Sequence, residues 1–277
     1  MKFAVLPAAG IGDGLLMQIA ARHLHELGVK TVTCAKQLVG LSEWFPELEV
    51  RERVELEEVD GVILQHDNGL FAAKVRGMNK PVYTLFAGYV PEKHGPLKVT
   101  DAVFDRRKTM AENVAEAMHR WFPGRPLSRD NGLRPIFGLQ SRKWPRRVLL
   151  HATSSLAGKN WLKSRFLALS ERLKTAGFEP VFLPMFPTLS ELAAFTYESG
   201  AFVGNDSGPG HLASNLGLPT VTVGPTAEHL ALWRPGWGPN EVCHAPKWAR
   251  TKWPYFVTVS SVFKQFTKLT EIKEVFS

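Results

Sequence analysis

The chain has 277 residues, 44% apolar and 22% charged, with 23 glycines and 19 prolines. That balance excludes a disordered chain, and two cysteines exclude a disulfide scaffold. The formal net charge of +8 lies wholly in the second half: residues 1–126 carry 16 basic and 16 acidic side chains, and residues 127–277 carry 18 and 10. No window reaches the roughly 18 unbroken apolar residues of a membrane-spanning helix. The length suits two domains of about 130–150 residues, each with its own core. Cys34 and Cys243 form neither a CxxC nor a zinc spacing, so a reducing compartment is expected. The basic second half fits a phosphate-bearing ligand, nucleic acid or an acidic membrane face; it equally fits mere solubility. Pro7 interrupts the first apolar run early, which argues against a signal peptide and for a cytoplasmic protein.

In chain order, Lys2–Leu6 reads as a buried parallel strand. Pro7–Gly14 is a turn, and Leu15, Leu16, Ile19, Ala20, Leu24 and Leu27 recur at helical spacing up to Gly28. Val29–Cys34, Val62–Leu64 and Pro81–Phe86 read as strands, and Asn113–Trp121 as a helix stopped by Pro123-Gly124. Residues 123–146 are rich in Pro, Gly and Arg and read as a linker. The alternation then restarts. Val148–Leu150, Pro180–Leu183, Ala201–Val203 and Pro219–Val223 are strands, and Trp161–Ala176, Leu189–Tyr197, His211–Leu216 and Thr258–Val275 are helices. The expected class is α/β, with two doubly wound halves leaving a cleft. The expected division is 1–126, a basic Pro/Gly linker at 127–146, a second domain at 147–257 and a terminal helix at 258–277.

Four strand-to-helix junctions could carry chemistry. Gly10-Ile11-Gly12-Asp13-Gly14 follows the first strand; its spacing is neither the dinucleotide nor the phosphate-loop pattern. Asp13 reads either as an N-cap carboxylate, worth about 1 kcal/mol, or as a general base. His151–Trp161 offers hydroxyls and Lys159 before a helix, which suits a phosphate or a capped polar loop. Gly204–Ser214 places glycines, Pro209 and His211 at a helix start that could face a diphosphate. After Gly224-Pro225-Thr226, Arg234 could bind phosphate or stack on Trp233 or Trp237.

Taken together, these segments resemble glycosyltransferase family 9, the lipopolysaccharide heptosyltransferase group. The resemblance lies in Gly10–Gly14 with its helix, in His151–Trp161, and above all in Phe202–Thr226, which reads FVGNDSGPGHLASNLGLPTVTVGPT and has the family's D-[ST]-G-x-x-H-L motif. Cys243-His244-Ala245-Pro246 resembles a late family segment; residues 35–110 match loosely. The resemblance implies a GT-B architecture of two Rossmann-like domains and an inverting, metal-independent transfer from a nucleoside-diphosphate sugar, ADP-heptose in this group. It implies Asp13 as general base and Lys159 as the cation on the leaving diphosphate. It also implies Gly12, Gly14, Thr153, Ser154, Asp206, Ser207, Gly208 and His211 at the donor site. No metal is implied, and no Asp-x-Asp motif is present.

Two departures stand out. After Phe178–Leu183 the family has a glycine-rich turn and an acidic donor contact, where this chain runs through Pro184-Met185-Phe186-Pro187 almost directly to the next helix. Met17 stands at or near a position where inner-core heptosyltransferases often have histidine. The first reading is therefore a surface-glycan glycosyltransferase, acting at the inner membrane face on a phosphorylated glycolipid. Arg142–Arg147 would meet the lipid phosphates or the anionic leaflet. A nucleotide-sugar epimerase on the same fold and a non-catalytic, shortened relative are the alternatives. Nucleic-acid binding lacks a recognisable reading motif.

Overall fold

The computed structural model describes residues 1–154 and 156–274. It divides into two compact units, Met1–Arg134 and the chain from Pro135 onward. Each is built on one parallel sheet, as the strand–helix alternation predicts.

In unit 1, β1 (Lys2–Leu6) leads through a short turn into α1 (Ile11–Glu26). β2 (Lys30–Cys34), β3 (Glu49–Arg51) and β4 (Gly61–Gln65) follow. Next come α2 (Leu70–Arg76), β5 (Val82–Phe86), α3 (Pro91–His94), β6 (Asp101–Val103) and α4 (Met110–Trp121). The strand order is β3-β2-β1-β4-β5-β6, all parallel. The order reverses between β1 and β4, the place where doubly wound sheets open a crevice at their carboxyl ends. Both strands are almost wholly buried, which is why they read as apolar runs. α4 starts three residues before the expected Asn113, because Thr109 caps it: the Thr109 hydroxyl accepts from the Glu112 N–H at 3.2 Å, and Glu112 accepts from the Thr109 N–H at 2.7 Å.

Unit 2 begins its sheet with β7 (Trp144–His151). That strand starts inside the segment expected to be linker; Arg147 sits over the Trp144 and Phe195 rings at 5.2 and 4.6 Å. α5 (Lys163–Thr175), β8 (Glu179–Phe182), α6 (Leu189–Tyr197), β9 (Ser199–Asn205) and α7 (Gly208–Asn215) follow. β10 (Thr220–Gly224), α8 (Ala227–Trp233), β11 (Asn240–His244), α9 (Trp253–Phe256) and α10 (Val259–Glu274) complete it. The expected last helix extended to Val275, which lies outside the described residues. The order is β11-β10-β9-β7-β8, again parallel, with its reversal at β7. Its core joins Val148, Leu150, Trp161, Phe166, Val203, Val221, Trp253 and Phe266. The β7–β9 ladder shifts register between Trp144 and Val148. Gly200 permits this, because a Cβ there would lie 1.9 Å from the Pro145 carbonyl oxygen. Both cysteines are free thiols; burial pushes that of Cys243 up to about 12.

Candidate active site

The expected helix begins at Leu15, but α1 starts at Ile11 and takes Gly12, Asp13 and Gly14 into its first turn. Gly12 and Gly14 are buried there, and a Cβ on Gly14 would meet Leu38 Cγ at 2.7 Å. Asp13 is therefore the third helical residue rather than the N-cap. Its Oδ2 accepts from the Gly10 N–H at 3.2 Å, and its Oδ1 accepts from Gln65 Nε2 at 2.6 Å. Gln65 Oε1 in turn accepts from the Ala8 N–H at 3.1 Å. Asp13 thus stands half-buried at the β1/β4 reversal of unit 1.

In unit 2 the predicted residues converge at the β7/β9 reversal. Lys159 ends the short 3-10 turn Ala157–Lys159, and its Nζ lies 3.1 Å from Asp206 Oδ2. The same oxygen is 2.9 Å from His229 Nε2, and Asp206 Oδ1 is 3.9 Å from His211 Nε2. Asp206 is 8% exposed. Burial pushes its carboxyl up, but the hydrogen bond from His229 and the charges of His211 and Lys159 outweigh that, so the group is held below its ordinary value. The result is a buried carboxylate ringed by one ammonium and two imidazoles. Lys159 also lies 5.9 Å from the Trp233 ring centroid, on which His229 stacks at 6.3 Å.

The hydroxyls occupy the rim. Ser207 stands at the N-cap position of α7 without a side-chain capping bond, and its Oγ is instead 3.0 Å from His151 Nδ1; Thr153 Oγ1 is 3.3 Å from His151 Nε2. Burial holds the His151 imidazole below its ordinary value, so at neutral pH one ring nitrogen donates and the other accepts. Ser154 donates to Asn160 Oδ1 at 2.7 Å. Asn205 Oδ1 accepts the Trp161 N–H at 2.9 Å and so ties the end of β9 to the lysine-bearing loop. α7 begins at Gly208, earlier than the expected His211, so Gly208 and Pro209 form its first turn and His211 lies buried inside it. Beside this rim opens a pocket of about 800 Å³, lined by His151, Thr153, Lys163, Phe182, Met185 and Phe186 among others. The shortened stretch Pro184–Pro187 thus forms pocket wall.

Sequence reasoning named Asp13, Thr153, Ser154, Lys159, Asp206, Ser207, Gly208 and His211, and missed Gln65 and His229. His229 had a usable signal: Thr226 caps α8 by accepting its N–H at 3.1 Å, just after the Gly-Pro-Thr turn. Trp161 and Trp253 belong to the core, donating to Val257 and Gly158 carbonyls at 3.0 Å each. Trp237 meets His211 edge-on at 6.2 Å.

Residues 187–251, spanning α6 to β11 with Asp206, His211 and His229, match the family described as Glycosyltransferase family 9 (heptosyltransferase). Over this segment the chain is similar to glycosyltransferase family 9. No curated protein sequence matches it. Solved structures share the fold. Heptosyltransferase WaaC of E. coli, determined with ADP, aligns with a TM-score of 0.72 at 16% identity, over 97% of this chain and 100% of that one. The E. coli ADP-heptose lps heptosyltransferase II gives 0.69 at 17%, over 99% and 100%. The family 9 glycosyl transferase of Veillonella parvula gives 0.71 at 15%, over 97% and 96%. The two parallel α/β sheets are thus those of the GT-B fold, as the family 9 resemblance implies.

Proposed function

We propose that this chain is an inverting glycosyltransferase that moves a sugar, heptose in the first instance, from a nucleoside-diphosphate donor to a lipopolysaccharide or other surface-glycan hydroxyl. The observation that carries the reading is the Lys159–Asp206–His229 cluster at the sheet reversal of unit 2, of which Asp206 and His229 lie in the segment similar to family 9. A departing diphosphate needs charge stabilisation, and an ammonium beside the start of α7 supplies it without a metal. Thr153, Ser154, Ser207 and Gly208 offer donors to phosphate and sugar oxygens, and His211 holds Asp206. The aromatic pocket wall of Phe182 and Phe186 suits a nucleobase. In unit 1, Asp13 stands half-buried in the first turn of α1, at the rim of the β1/β4 crevice.

In the transfer, Asp13 takes the proton of the acceptor hydroxyl. That oxygen attacks the anomeric carbon from the face opposite the diphosphate. The carbon–oxygen bond to the diphosphate breaks, and the nucleoside diphosphate leaves with the electron pair. The donor is read as ADP-heptose because relatives of this fold are described with ADP and ADP-heptose. The acceptor is read as a phosphorylated glycolipid, which matches the surplus of basic side chains after residue 126. On this reading the reaction takes place at the cytoplasmic face of a membrane, with peripheral contact to anionic lipid. No helix among the described residues is long and apolar enough to cross one.

The test is ADP release from ADP-heptose with a phosphorylated inner-core glycolipid. Asp13→Asn is expected to lower turnover by roughly 10²–10⁴-fold with the donor KM unchanged. Wild-type turnover in that variant would remove Asp13 as base. Acceptor-independent conversion of the sugar would replace the reading by an epimerase.

A further inference from the structure

The contacts of Asp13 point to a residue that controls it. Gln65 is the last residue of β4, 5% exposed, at the reversal between β1 and β4. Its amide has a fixed orientation. The Ala8 N–H can only donate, so the atom facing it at 3.1 Å is the amide oxygen. The amide nitrogen therefore faces Asp13 Oδ1, at 2.6 Å. The Gly10 N–H covers Oδ2 at 3.2 Å. The two donors come from different segments, one from the end of β4 and one from the β1–α1 turn. Together they fix both the position and the rotation of the carboxylate. A glutamine held by backbone on one side cannot follow Asp13 if Asp13 turns, so it acts as a stop. Gln37 braces the same turn from the other side, donating from Nε2 to the Ala8 carbonyl at 2.9 Å.

We propose that Gln65 is the positioning residue that aims the Asp13 carboxylate at the acceptor hydroxyl. The inference rests on the reading of Asp13 as the general base. A base must meet its proton within hydrogen-bond reach, and a misplacement of about 1 Å costs roughly 10²-fold in rate. An isolated N3 aspartate on the exposed lip of a helix has several rotamers available; the amide of Gln65 selects one.

The test is a double-mutant cycle on ADP release from ADP-heptose with the glycolipid acceptor, at pH 8. Gln65→Glu is close in shape and keeps an acceptor for the Ala8 N–H, but it offers Asp13 a carboxylate instead of a donor. Its turnover is expected to fall roughly 10²-fold, with the KM for ADP-heptose near wild type and the melting temperature lowered by repulsion between the two carboxylates. In the Asp13→Asn background the same substitution is expected to cost nothing further, because there is no longer a base to aim. Turnover of Gln65→Glu near the wild-type value, or an equal loss in both backgrounds, overturns the inference while leaving Asp13 as base. Should Gln65→Glu fail to fold, Gln65→Leu takes its place in the same cycle. Full activity of Asp13→Asn, or no ADP release from the wild type, overturns the underlying reading and the inference with it.

Discussion

Asp206 shows how a residue-level balance decides a site. The carboxylate is nearly inaccessible, and its charge persists because Lys159 and His229 share Oδ2 at 3.1 and 2.9 Å. Because its folded value is depressed, the stability it contributes is present above the ordinary carboxylate range and is lost as pH falls through that folded value. Asp206→Asn is therefore expected to destabilise the chain by about 2 kcal/mol at pH 7. The gap from wild type should close below about pH 4. Thermal melts of both proteins between pH 7 and pH 3 check this, and a gap that stays constant with pH would contradict it. Asp206 and Lys159 were legible in sequence because each lies in a short local motif. Gln65 and His229 were not, because they meet Asp13 and Asp206 only through the sheet, across 52 and 23 residues of chain. Nothing in the spacing of a glutamine at the end of one strand indicates which turn it will brace.

At the scale of elements, the long buried strands and helices were readable, and their ends were not. β1 matches its expected range because all but its first residue are buried, leaving an unbroken apolar signal. β3 and β6, of three residues each, were missed; they sit on the two sheet edges, where partial exposure erases the pattern. β11, also an edge strand, was missed for the same reason. α1 was placed late because glycines read as turn, whereas Gly14 is held in the helix by packing on Leu38. The register shift in the β7–β9 ladder was invisible in sequence, since it rests on one backbone approach at Gly200. Gly200→Ala is expected to lower stability by about 1–3 kcal/mol, because β7 must shift to admit the methyl. Gly88→Ala, where a Cβ would meet nothing within 4 Å, is the control and should leave the melting temperature unchanged. Equal melting temperatures for the two variants would remove the close approach as the cause of the bulge.

For the whole molecule, composition, alternation and motif agreed on two parallel α/β units, and the structure has them, as 6- and 5-stranded sheets. The charge asymmetry follows the same division. The basic surplus belongs to the half that holds Lys159, the start of α7 and the aromatic pocket, which are the features a nucleoside diphosphate needs. The central claim is that this half binds such a ligand without a metal. It is tested most directly by thermal melts with ADP, UDP, GDP and CMP, first without metal and then with Mg²⁺. At about 100 times its Kd, a ligand adds about 2.7 kcal/mol, a shift of several degrees in a chain of this size. The account predicts that ADP raises the melting temperature without metal and that Mg²⁺ adds nothing. No shift with any of the four nucleotides, or a shift with ADP only when Mg²⁺ is present, would contradict it.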